Sequence, residues 1–125
     1  MLKEAEVVEV DTEVIAQKVF LKSIELLGGL KQLTHYRSLT WLPALARAAY
    51  AVVLKEMFNK VDDEIAKELG ITRQSVRNIL QANPEYAKER IKRLRDFMEE
   101  EGKTLKGHTA GAIVKLAYSM IEKEA

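Results

Sequence analysis

The chain contains no cysteine, which excludes disulfides, thiolate metal sites and a cysteine nucleophile. It has almost no net charge: 20 basic residues stand against 19 acidic ones, a balance that argues neither for nor against a polyanionic partner. No long apolar run occurs, and the longest, around Ala48 to Leu54, is far too short to span a bilayer. The opening Met-Leu-Lys-Glu-Ala-Glu is acidic and lacks the basic-then-apolar order of a signal peptide. A soluble, cytoplasmic protein is therefore expected. Asparagine and glutamine are scarce beside 31% charged residues, a composition that suits a thermophile. What is present is 47% hydrophobic residues over 125 positions, enough for one domain with a substantial core.

The spacing of these apolar residues is helical nearly throughout. Val7, Val8 and Val10, set between acids, suggest a short strand or an extended arm. Asp11 stands where an N-cap belongs, ahead of a helix with Ile15, Ala16, Val19, Phe20, Leu26 and Leu27 on one side and a stop at Gly28-Gly29. Residues 30–40 fit one or two further turns. Both prolines fall where a first helical turn accepts them. Pro43 opens a helix to Phe58 that is apolar on nearly every face; Pro84, after the cap residue Asn83, opens another running to Glu101. In that second helix Ala87, Ile91, Leu94 and Met98 form a narrow seam suited to a neighbouring helix or a dimer contact, while Lys88, Lys92 and Arg95 line a separate face. After Gly102 and a loop over 103–108, a last helix from about Thr109 to Lys123 buries Ala110, Ile113, Val114, Ala117, Met120 and Ile121. The expected fold is all-α: a single multi-helix domain over 1–125, with a helix-turn-helix core at 43–82 and a C-terminal helical extension at 84–125.

That core is most legible from Asp62 to Gln81. Ile65, Ala66 and Leu69 share one face of a first short helix, and Ala66 is the small residue where a second helix approaches closely. Gly70 follows the last apolar residue, where a left-handed helix end favours a residue without Cβ. Ile71 plugs the corner and Thr72 caps the next helix. There Val76, Ile79 and Leu80 face the core, while Arg73, Gln74, Arg77, Asn78 and Gln81 cover the opposite arc, about 140° of the wheel. These five are side chains of the kinds that read base edges in a major groove. Charge is also segregated. From Thr72 to Arg95, Arg73, Arg77, Lys88, Arg90, Lys92, Arg93 and Arg95 face only Glu85 and Glu89, whereas Glu4, Glu6, Glu9 and Asp11 near the beginning face only Lys3.

Other constellations carry less. His35 and His108 are isolated from other ligands in the sequence. Asp62, Asp63, Glu64 and Glu68 form an acidic cluster that a helix N-terminus favours in its own right, so a magnesium site is not preferred. Gly102-Lys103-Thr104 echoes the end of a phosphate-binding loop, but Phe97 stands where its first glycine belongs. Ser119 lies mid-helix, away from any nucleophile elbow. No catalytic residue, cofactor or metal is assigned, and an enzyme is not expected.

Glu64-Ile-Ala-Lys-Glu-Leu-Gly-Ile-Thr-Arg-Gln-Ser-Val-Arg-Asn-Ile-Leu resembles the helix-turn-helix of bacterial and archaeal transcription regulators and of the promoter-reading domain of sigma factors. The wider stretch, from Leu33-Thr-His-Tyr-Arg-Ser-Leu-Thr-Trp-Leu-Pro through Asn83-Pro84-Glu85, resembles a small regulatory domain of archaea and some thermophilic bacteria that is encoded beside KaiC-like ATPases. The resemblance implies an ATPase partner, which neither composition nor spacing shows. The leading expectation is a dimeric, DNA-binding transcriptional regulator. Arg73, Gln74, Arg77 and Asn78 would lie nearest the base edges of double-stranded DNA, with Thr72, Gln81 and Lys88 nearer the phosphates. The homodimer would use the Ile91, Leu94, Met98 seam or the apolar face of the Pro43 helix. The competing expectation is an adaptor whose helix-turn-helix docks a partner such as a KaiC-like ATPase.

Overall fold

Apolar residues spaced three and four apart give the longer helices faces to bury, and the described residues form seven helices in all. The computed structural model describes residues 4–36, 39–99 and 105–124, with the backbone alone described at 4–10, 98 and 99. The helices are α1 (Glu4–Leu26), α2 (Gly29–Leu33), α3 (Leu42–Phe58), α4 (Asp62–Leu69), α5 (Arg73–Leu80), α6 (Pro84–Glu99) and α7 (Gly107–Glu124). No strand occurs among the described residues, so the all-α expectation holds.

The N-terminal expectation needs correction. Val7, Val8 and Val10 lie on helix, not on a strand or an arm, and Asp11 is an exposed residue inside α1 rather than its cap. In the sequence Val8, Thr12, Ile15 and Val19 follow one another at four, three and four, a helical period, and valine carries only a modest helix penalty. The short helix expected within 30–40 is one turn, α2. The last helix starts at Gly107, two residues before Thr109. The Gly102 stop and the 103–104 part of the loop lie outside the described residues.

Helices α3 and α7 form the centre. Helix α7 packs on α1, α3, α5 and α6, and α3 packs on α1, α4, α5 and α7. Leu45, Val52 and Val53 of α3 meet Ile113 and Val114 of α7 in one core that also takes Val19, Ile65 and Val76. The near-continuous apolarity of α3 is thereby explained by burial within the chain. Asn59 ends α3 in the left-handed conformation (φ 52°), and the next N–H, of Lys60, donates to the Leu54 carbonyl at 3.1 Å. Tyr36 and Trp41 are core residues: their rings meet edge to face at 5.3 Å, and the Tyr36 hydroxyl donates to the Leu27 carbonyl at 2.8 Å.

The seam on α6 is also used internally. Ala87 and Leu94 are buried and Ile91 is half-buried, on a helix that packs against α7; the Met98 side chain lies outside the described ones. Arg95, expected on the basic face, turns inward instead. Its Nε and Nη2 donate to the Leu26 carbonyl at 3.2 and 3.0 Å, satisfying the C-terminal end of α1.

Candidate nucleic-acid interface

Helix α4 starts after the extended residue Val61, whose N–H donates to the Glu64 carboxylate at 3.4 Å. Asp62, Asp63 and Glu64 fill its first turn, where the unpaired N–H groups favour carboxylates. Ile65 and Ala66 are buried. The helix stops at Gly70, whose φ of 68° lies in the region an L side chain rarely adopts, and the Ile71 N–H closes the turn onto the Ala66 carbonyl at 3.1 Å. Thr72 then caps α5: its Oγ1 accepts the Ser75 N–H at 3.0 Å, and its hydroxyl donates to Ser75 Oγ at 2.9 Å.

Two buried residues, Val76 and Ile79, fasten α5 to the core. Their spacing leaves the opposite face outward. Thr72, Arg73, Gln74, Arg77, Asn78 and Gln81 are all exposed, and together they make one continuous polar surface. Lys88 is exposed as well, on α6. The residues selected from the sequence are therefore accessible, and six of the seven lie on one element and its ends.

Four of these side chains are paired, two with carboxylates of α4 and two with each other. Arg73 Nε lies 3.3 Å from Asp63 Oδ1, and Arg77 Nε lies 3.5 Å from Asp62 Oδ2. The Gln74 amide donates to Asn78 Oδ1 at 3.0 Å. These contacts lie at the solvent boundary, each worth about 0–1 kcal/mol. The basic run behind α5 is less uniform than its sequence. Arg95 is withdrawn to Leu26, Arg90 stacks over the Tyr86 ring at 4.6 Å, and α6 itself kinks at Arg90 (φ −122°, ψ 20°).

Helix α7 sets the position of α5. A Cβ at Gly111 would lie within 2.9 Å of the Ile79 Cα and carbonyl carbon, so only a glycine lets the two backbones approach this closely. One turn further on, Lys115 Nζ donates to the carbonyls of Leu80 at 2.6 Å and Ala82 at 3.0 Å, closing the C-terminal end of α5. Sequence reasoning overlooked both residues, and it assigned Asp62 and Asp63 no part in the surface. A glycine inside an apolar helical stripe is the signal that would have marked Gly111. The pairing of Asp62 with Arg77 leaves none, because two helices must first be assembled.

Among the described residues no three histidines or carboxylates converge to hold a metal ion. His35 is exposed, and His108 meets the Tyr86 ring edge to face at 6.3 Å. No described helix is long and apolar enough to cross a membrane. Comparison of the chain with protein-family models, with curated proteins and with solved structures finds no match in any of the three.

Proposed function

We propose that α4 and α5 form a helix-turn-helix and that the protein is a DNA-binding transcriptional regulator, with residues 72–81 entering the major groove. The observation that carries this reading is the exposed arc of Arg73, Gln74, Arg77 and Asn78 on a short helix whose other face is locked to the core. Arginine suits guanine, and asparagine or glutamine suits adenine, each good pairing contributing about 1–3 kcal/mol of discrimination. Thr72 and Gln81, at the two ends of α5, and the exposed Lys88 of α6 would meet phosphates. A homodimer would present two such helices to half-sites one DNA turn apart, about 34 Å. The test is selection of duplexes from a random pool, repeated with Arg77→Ala. The wild type should enrich a defined sequence, and the variant should bind it about tenfold or more weakly. A wild type that enriches nothing, and binds no better than the variant at any salt concentration, ends this reading.

The paired arginines favour a second reading. Because Asp62 and Asp63 offset the charge of α5, the same surface also suits a protein partner, and the resemblance to a domain encoded beside KaiC-like ATPases points to such an ATPase. Capture from native lysate with and without nuclease separates the two, since an adaptor keeps its ATPase after DNA is destroyed.

A further inference from the structure

Both arginines of α5 meet α4 through the same atom. Nε of Arg73 faces Asp63 and Nε of Arg77 faces Asp62. A guanidinium carries five N–H donors in a rigid fork, so engagement at Nε leaves the terminal nitrogens with donors to spare. The two terminal nitrogens can still form a bidentate pair with guanine O6 and N7. Asp62 is the more sheltered carboxylate, its side chain 30% exposed against 71% for Asp63. Neither is required to satisfy the Val61 N–H, which Glu64 takes.

Resting on the reading of α5 as a major-groove helix, we propose that Asp62 and Asp63 are specificity-determining positioning residues. They orient the forks of Arg77 and Arg73 toward base edges, and they place negative charge beside those arginines where a phosphate would otherwise be captured. The two effects act oppositely on affinity. Repulsion of phosphate weakens binding to every duplex alike, whereas a held fork strengthens binding only where the correct base stands opposite. Removing the carboxylates should therefore tighten indiscriminate binding and erode discrimination. A purely structural role for these residues would do neither.

The experiment uses the full chain and two probes: a duplex enriched by the wild type from a random pool, and a scrambled duplex of the same composition. Binding is measured across a salt series, with thermal midpoints alongside. Asp62→Asn/Asp63→Asn should bind the scrambled duplex several-fold more tightly, with a salt slope steeper by about one to two units, as freed arginines take up phosphates. Its preference for the enriched duplex should fall by about tenfold. Arg73→Lys/Arg77→Lys keeps the charge but not the fork, so it should retain the salt slope and lose the preference. If the Asn variant keeps the wild-type preference, or the Lys variant does, the positioning role is overturned while DNA binding stands. If the wild type enriches no duplex and binds neither probe, DNA binding fails and the positioning role fails with it.

Discussion

Helices α7 and α5 touch backbone to backbone, yet they are built on opposite principles. Helix α7 buries eight of its 18 residues and meets four other helices; α5 buries two of its eight, half-buries Ser75 and Leu80, and turns Arg73, Gln74, Arg77 and Asn78 to solvent. Buried apolar packing is thus concentrated in one helix and exposed polar side chains in the other. Substitutions on the outward arc of α5 should cost the fold little, and substitutions in α7 should cost much.

The sharpest way to break this contrast is Ile113→Ala in the centre of α7. Loss of a fully buried isoleucine should lower unfolding free energy by about 2–5 kcal/mol. The urea midpoint should fall with an unchanged slope, and the fraction still folded should bind as before. A loss well under 1 kcal/mol would show that α7 is not the scaffold. Gly111→Ala comes next, because it bridges the two regions. Its Cβ collides with the Ile79 backbone, overpacking that costs about 1–3 kcal/mol, against roughly 1 kcal/mol regained in helix propensity. The collision displaces α5, so stability and duplex binding should fall together; a more stable variant would refute the close approach. Thr72→Ala removes the cap of α5 and should cost about 1 kcal/mol, with faster amide exchange at Ser75. The smallest effect is confined to alkaline solution. Burial first, then the carboxylates of Glu122 and Glu56, push the Tyr118 phenol above its ordinary value. A raised pKa favours the neutral form in the fold, so this contribution is complete below about pH 10 and is lost as pH rises through the folded value. Tyr118→Phe should therefore show a shallower alkaline decline in thermal midpoint than the wild type.

The same contrast explains what the sequence disclosed. Gly70, Thr72 and the Val76, Ile79 spacing act within a few residues of one another, so the α4–α5 pair and its outward arc were readable directly. Three valines set among glutamates near the beginning suggested a strand, because β-branched residues favour strands and four residues are too few to show a helical stripe. The inward turn of Arg95 links residues 69 apart, and the Asp–Arg pairs depend on how two helices are set. Charge periodicity on one helix cannot register such contacts. For that reason the basic face of α6 looked broader in the sequence than it is in the fold.

One last consequence concerns timing. Helix α7 follows every helix it holds, and its contacts with α1 and α5 join segments far apart in the chain. As the polypeptide leaves the ribosome, α1 and α3 to α5 can begin to pair with one another, but the part of each stripe that α7 covers stays open until α7 has been made. The turn at Gly70 can form early from local bonds, but the seat for Ile79 cannot. A stalled chain ending before Gly107 would carry every residue of the outward arc with only α3 and α4 to hold it, and without the Gly111 and Lys115 contacts that fix its far end.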